Sequence, residues 1–196
     1  MSKRKNKKQK ISQHQSRMFF GLINILRSRI RHMIFVTTVI CLMIVWYVIS
    51  SGTLYTTVIL PQYLILLAKI VTPILNIFGY QAISSGSSVL SRDFSIDIAA
   101  GCDAVEPMLL FSIVMLAYPA KWQEKLIGIF AGVLILFTIN IVRLVSLFWI
   151  GVHYKDSFEV IHMEVWQPLF IFCTLAVFGT WMFIVGSTQR TKVAGE

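Results

Sequence analysis

The sequence predicts an all-α integral membrane protein with about four to five transmembrane helices, a partial or interfacial helix and a short extracytoplasmic β-hairpin. Composition, long uncharged segments and the placement of charge support this prediction. Hydrophobic residues make up 56% of the 196 residues, charged residues make up 14%, and the mean hydropathy is +0.72. Soluble proteins average about 45–50% and 25%, so the composition excludes an ordinary soluble domain.

Positive charge is concentrated at the N-terminus. Ten of the 18 basic residues lie between Lys3 and Arg31, and the first acidic residue is Asp93. Residues 1–16 are predicted to be a disordered basic cytoplasmic leader. Residues 17–32 are predicted to be a basic amphipathic juxtamembrane segment, or else the solvated flank of the first span. The remaining chain is close to neutral, which excludes nucleic-acid binding by a basic folded domain.

Residues 33–186 form the predicted membrane-embedded domain. Met33–Ser50 carries no charge, and its 18 residues reach about 27 Å, close to the ~30 Å hydrocarbon core. Leu54–Phe78 is also apolar, but two prolines and a lysine interrupt it, which favours a broken or interfacial helix. The polar stretch Tyr80–Ala100 contains a Ser-Ser-Gly-Ser-Ser run followed by alternating apolar and polar residues, which predicts a short hairpin.

Three further apolar segments are predicted to span the membrane: Val105–Ala120, Leu126–Gly151 and Val165–Val185. If Leu54–Phe78 crosses only partly, the N-terminus, the charged loop Lys121–Lys125 and a short tail at 187–196 share the cytoplasmic side, as the positive-inside tendency favours. If all five segments cross, the two chain ends lie on opposite sides. We favour four full crossings plus the partial segment.

Cys102 is a candidate nucleophile. Of the three cysteines, Cys41 and Cys173 lie in apolar runs, where a thiol behaves as a small hydrophobe. Cys102 instead lies where a polar loop meets a predicted helix, and the helix dipole there lowers a thiol pKa. The neighbouring carboxylates of Asp103 and Glu106 oppose that effect.

Arg143 lies within a long apolar helix, where an arginine costs at least ~2.5–3.5 kcal/mol. We therefore expect it to face a polar cavity that Asn140 and Ser146, three residues to either side on the same helical face, could also line. The alternative is an arginine that snorkels to the interface. Near the proposed nucleophile, Gly101 would let a substrate backbone approach closely.

His162 is a candidate general base at the entry to the last span. Glu159, one helical turn earlier, could orient its imidazole. His153, at the end of the preceding span, competes for the same role. Together, a thiol, an imidazole and a fixed cation suit acyl transfer at a peptide bond. No cofactor is predicted, and no metal site either, because Cys102 and His162 have no obvious third ligand.

At these residues the chain resembles the exosortase/archaeosortase family of membrane cysteine proteases. The shared pattern is a cysteine just before a membrane helix, here Gly101-Cys102-Asp103, an arginine in the Asn-x-x-Arg run ending at Arg143, and a histidine, His162, before the next span. The chain is most similar to the short H-type exosortases, whose partners carry an Ile-Pro-Thr-Leu-like signal. It departs from the family at Asp103-Ala104-Val105, where Ser-Gly-Ile/Leu is usual.

The resemblance implies a cysteine protease or transpeptidase in the bacterial inner membrane, with a cytoplasmic N-terminus and a periplasmic active site. Its partners would be the lipid bilayer and exported proteins bearing a C-terminal signal made of a motif, a membrane helix and a basic tail. Cleavage would proceed through a thioester on Cys102. An acyltransferase using the same thiol is one alternative. Another is a non-enzymatic scaffold or transporter subunit in which Arg143 has a structural or lipid-binding role. The sequence makes no prediction of oligomeric state.

Overall fold

A computed structural model describes residues 29–30 and 32–194, with side chains described through residue 187. The predicted leader at 1–16 and most of the juxtamembrane segment at 17–32 lie outside the described residues. The helices are α1 His32–Ser50, α2 Tyr55–Ile77, α3 Val105–Ala117, α4 Trp122–His153 and α5, which comprises Phe158–Val160, a π-helical segment Ile161–Trp166, and Gln167–Ala194. The strands are β1 Ile83–Ser85, β2 Ser88–Leu90 and β3 Ser95–Asp97.

The helices confirm an all-α, multi-pass membrane protein. Within the described ranges, four helical segments are long and apolar enough to cross a membrane: His32–Ser50, Tyr55–Ile77, Trp122–His153 and Lys155–Ser187. Each carries an 18-residue window with a mean hydropathy of 1.9 to 2.4. A chain with this many long apolar helices exceeds what one small soluble core can bury, so the bilayer is its solvent.

Helix α2 is continuous, so the broken form of the broken or interfacial helix expected at Leu54–Phe78 is not found, and the interfacial form stays a prediction. Pro61 lies where the π-helical start of α2, Tyr55–Ile59, passes into its α-helical part, and Pro73 lies inside the α-helical part. A proline there costs ~3 kcal/mol. The buried side chains of Val71 and Leu75 flank it, and each full burial contributes ~1.5–3 kcal/mol, which offsets that cost.

Helix α3 is shorter than the other four helices. Its 13 residues reach about 20 Å, whereas a full crossing was expected for Val105–Ala120. It packs against the first half of α4 and against α5 in a core built around Phe111, Met115, Leu136 and Phe170.

A separate core lies along the second half of α4. It joins α2 and the sheet to that half, with Leu67, Val89, Leu144 and Phe148 among its most buried members. Helices α2 and α3 therefore pack at different levels along the 32 residues of α4.

The polar stretch before α3 forms a three-stranded antiparallel sheet in the order β1-β2-β3, one strand more than the predicted hairpin. The Ser-Gly-Ser-Ser turn joins β1 to β2, with Gly86 at φ +61°. As the alternating pattern predicts, Ile96 and Ile98 are buried while Ser95 and Asp97 are exposed. Phe94 packs against Gly151, where a Cβ would overlap its ring.

Candidate active site

The loop that carries Cys102 is sharply turned and fixed. Gly101 (φ +90°) and Ala104 (φ +59°) both adopt left-handed conformations, and the Cys102 N–H donates to the carbonyl of Ala99. The hydroxyl of Tyr63 donates to the main-chain carbonyl of Asp103 across 3.2 Å. Because α2 holds the loop through this bond, the thiol has a defined position at the start of α3.

Three residues singled out from the sequence meet at this loop. The Sγ of Cys102 lies 2.8 Å from Nε2 of His162, and Nη2 of Arg143 donates to the same sulfur at 3.8 Å. Cys102 and His162 are partly buried, whereas Arg143 is only 3% exposed. An imidazole and a guanidinium group therefore converge on one thiol sulfur.

Arg143 and the neighbouring Asn140 are buried with few hydrogen bonds. Arg143 forms no ion pair within the described residues, and its Nε lacks a hydrogen-bond partner. Asn140, one turn earlier and fully buried, has no hydrogen-bond partner for either amide atom among the residues that the structure describes. Asn140 makes no bond to Arg143 and does not line the groove that Arg143 lines. Buried polar groups without partners are costly, so this pair is poised to bind a polar group.

Burial dominates the electrostatics of the thiol. It raises the pKa of Cys102 above its ordinary value, while the positive charge of Arg143 lowers that pKa and the nearby Asp103 raises it. Desolvation of the thiolate therefore outweighs the opposing effect of the Arg143 charge. Burial also raises the pKa of the Asp103 carboxyl, although the hydrogen bond from the Val105 N–H opposes that shift.

The structure separates the two candidate histidines. His153 is exposed, stacks on Trp149 with ring centroids 4.8 Å apart, and places Nδ1 2.9 Å from the Trp149 carbonyl oxygen. His162 lies in the π-helical segment of α5, whose wider turn changes the direction of its side chains. Of these two histidines, His162 is the one that reaches the Cys102 sulfur.

Among the described residues, Glu159 makes no hydrogen bond to the His162 imidazole, so its orienting role stays a prediction. Its side chain is exposed, and the ring of Phe158 packs beside the His162 ring instead, with centroids 5.9 Å apart. The imidazole is therefore positioned by its packing and by its contact with the thiol.

One cavity adjoins Cys102 and His162, and a second adjoins Arg143. One, of about 180 Å³, is lined by Cys102, His162, Phe158, residues of β3 and the α4 leucines 144 and 147. The other is a groove of about 630 Å³ lined by Gly101, Arg143 and side chains of α1, α3 and α5. A Cβ on Gly101 would meet nothing within 4 Å. The glycine therefore permits the left-handed backbone of the loop, and the space beside it is open.

Tyr63 and the β3 residues beside Cys102 are the components that sequence reasoning missed. A tyrosine within an apolar helix carries no spacing signal toward a residue 40 positions away. Proximity of β3 to the thiol depends on how the sheet docks on α4. Within the described ranges, no group of three or more His, Cys, Asp or Glu side chains could hold a metal ion.

Comparison with known proteins places the chain in a family. The family model described as Transmembrane exosortase (Exosortase_EpsH) matches residues 16–186. Nothing among curated proteins or solved structures matches the chain. The match extends from the basic segment through all three site residues and covers most of the sequence. The chain therefore belongs to the transmembrane exosortase family.

Proposed function

We propose that this protein is a cysteine transpeptidase or protease that cleaves C-terminal sorting signals of exported proteins at the outer face of the bacterial inner membrane. The observation that supports this most strongly is the convergence of His162 and Arg143 on the Cys102 sulfur. Family membership indicates the processing of sorting signals. The reaction chemistry is inferred from the geometry.

The first half of the reaction transfers an acyl group to the thiol. Because the pKa of Cys102 lies above its ordinary value, the thiol is protonated near neutral pH and needs a base. His162 Nε2 takes the proton as sulfur attacks the scissile carbonyl carbon. The C–N bond then breaks, His162 returns the proton to the leaving amine, and a thioester remains on Cys102.

The second half releases the acyl group. Water or an amine attacks the thioester carbonyl, His162 accepts the proton of the nucleophile, and the thiolate leaves and is reprotonated. In both halves negative charge develops on the carbonyl oxygen. Arg143 is buried beside the sulfur, so it is placed to stabilise that charge.

The packing supports a particular membrane topology. We place α1, α3, the first half of α4 and α5 across the bilayer, with α2 along the outer interface. In support, α2 packs with the sheet on the second half of α4, whereas α3 packs on the first half. The N-terminus and Lys125 then face the cytoplasm, and Cys102 faces the periplasm. Lys125 donates to the Leu116 carbonyl at the end of α3.

The scaffold alternative, in which Arg143 pairs with Glu106, lacks a supporting contact. Both residues line the 630 Å³ groove, but no ion pair joins them. An arginine whose nearest bonded group is the candidate nucleophile suits chemistry better than scaffolding.

Trapping the acyl-enzyme tests the proposal. Membranes containing the chain and a reporter that ends in an Ile-Pro-Thr-Leu-like motif, a membrane helix and a basic tail are quenched in acid. Intact-mass analysis should then find the reporter fragment on Cys102, released by hydroxylamine as expected for a thioester. Reporter cleavage without any such adduct, under conditions that preserve a reference thioester, would contradict the covalent route.

A further inference from the structure

We propose that the processed segment binds as an added strand along the free edge of β3, which delivers its scissile bond to Cys102. The inference rests on the proposed function and identifies the substrate as an extended peptide recognised through its main chain. Strand addition supplies affinity through backbone hydrogen bonds and leaves side-chain pockets to set specificity.

The register of the sheet identifies the available edge groups. Val89 pairs with Ile96, and the bonds Ile98 N–H to Ser87 and Ser91 N–H to Phe94 continue the same ladder. Because ladder bonds alternate along an antiparallel pair, the N–H and C=O groups of Ser95 and Asp97 point away from β2. In the part of the chain that the structure describes, no strand pairs with that edge.

The edge is continuous with the reactive site. The 180 Å³ cavity is lined jointly by Phe94–Asp97, Cys102 and His162. It is smaller than the ~300–1,000 Å³ of small-molecule sites, and its walls include Phe158 and two α4 leucines. Such a cavity suits one apolar side chain of a peptide whose main chain follows the strand. Free main-chain donors and acceptors beside an apolar pocket complement a peptide rather than a lipid.

The geometry also gives the peptide a direction. Phe94, just before β3, contacts Gly151. Cys102 lies beside Arg143. Arg143 is eight residues, or about 12 Å, nearer to the start of α4 than Gly151 is. The 630 Å³ groove begins there, at Gly101 and Arg143. A chain passing from the sheet to the groove therefore runs parallel to β3 and crosses the thiol on the way.

Proline scanning of the two sheet edges tests the proposal. Ser95→Pro removes an outward N–H without breaking the β2 ladder, and proline is tolerated at strand edges. Ser84→Pro is the matched control: Ser84 pairs with Val89 from the other side, so its N–H also points outward, on the β1 edge. We expect Ser95→Pro to lower cleavage of the Ile-Pro-Thr-Leu reporter about tenfold and Ser84→Pro to change it less than twofold.

Alkylation of Cys102 by a small thiol reagent reports whether the site stays intact in each variant. Equal cleavage by Ser95→Pro and Ser84→Pro overturns the strand proposal while leaving the enzyme proposal standing. Failure of the unaltered chain to cleave the reporter instead contradicts the proposed function. If Ser95→Pro distorts the site, a disulfide cross-linking experiment tests the strand proposal instead.

That experiment uses Ser95→Cys in a Cys102→Ala background and single cysteines placed along the reporter motif. An added strand predicts cross-links at alternate motif positions, because successive side chains point to opposite faces. Cross-links at consecutive positions or none at all would overturn the proposal. So would links between two copies of the chain in place of links to the reporter, since these would assign the edge to self-association.

Discussion

The Cys102 sulfur and the His162 imidazole are 2.8 Å apart although 60 positions separate them in the chain. One residue lies in a turned loop before α3 and the other in the π-helical segment of α5. The contact places the Cys102 thiol, the proposed proton donor, beside the His162 imidazole, the proposed proton acceptor. Arg143 completes the site from α4.

The charges around the thiol should control its alkylation profile. Arg143→Ala removes the charge that lowers the Cys102 pKa, so the profile should move to higher pH and alkylation near neutral pH should slow. Asp103→Asn removes a charge that raises that pKa and should shift the profile the other way. Rates measured against pH in a background lacking Cys41 and Cys173 test both. Identical profiles for the three chains would show that these charges do not act on the thiol.

Geometry and charge also predict the role of the arginine. Arg143→Lys keeps a positive charge but loses the planar set of donors. If Arg143 stabilises the oxyanion, this variant should still associate with a signal-bearing reporter while cleaving it roughly 10²–10³-fold more slowly. Single-turnover rates and co-purification separate the two effects. Near-normal cleavage at native expression levels would remove Arg143 from that role.

The two histidines should differ sharply. His162→Ala should reduce cleavage to about the level of Cys102→Ala, because nucleophile and base act as a unit. His153→Ala should be nearly silent, since His153 is exposed and stacked on Trp149. Cleavage of the same reporter by both variants is the measurement, and a larger loss for His153→Ala would reverse the assignment of the base.

The residue types of the site could be predicted from the sequence because each is unfavourable or unusual where it occurs. A cysteine in the polar loop and an arginine inside an apolar helix both stand out against their surroundings. The direction of the thiol pKa could not be predicted in the same way. It depends on how deeply tertiary packing buries Cys102, and desolvation exceeds the effect of the Arg143 charge.

The fold shows the same division between local pattern and tertiary packing. Alternation identified the buried face of β3, since it depends on the residues themselves. The unbroken course of α2 through Pro73 could not be foreseen because buried residues on either side compensate for the proline. The Tyr63 bond to the loop that carries Cys102 likewise arises only when α2 packs beside that loop.

Helix packing gives a prediction on stability that is independent of the chemistry. A Cβ on Gly132 would overlap the ring of Phe111, whereas one on Gly179 would meet nothing within 4 Å. Gly132→Ala should destabilise the protein by about 1–3 kcal/mol because overpacking strains the α3–α4 contact. Gly179→Ala is the matched control. Thermal unfolding in detergent compares them, and equal stability would contradict the close approach of the two helices.

Topology can be read from the cysteines in intact cells. Under the proposed arrangement Cys102 should react with a small membrane-impermeant thiol reagent from the periplasmic side. Cys41 lies in α1 and Cys173 in α5, both within apolar spans, so they should react poorly. Labelling of Cys102 only after the inner membrane is ruptured would place the site on the cytoplasmic side and refute the proposed orientation.

The central claim is that Cys102 is the nucleophile, and cleavage of a co-expressed signal-bearing reporter by single cysteine variants tests it most directly. Cys102→Ala should abolish cleavage while still associating with the reporter, because the variant leaves His162 and Arg143 in place. Cys41→Ala and Cys173→Ala should cleave within a fewfold of the unaltered chain. Near-normal cleavage by Cys102→Ala, at matched expression, would contradict the account.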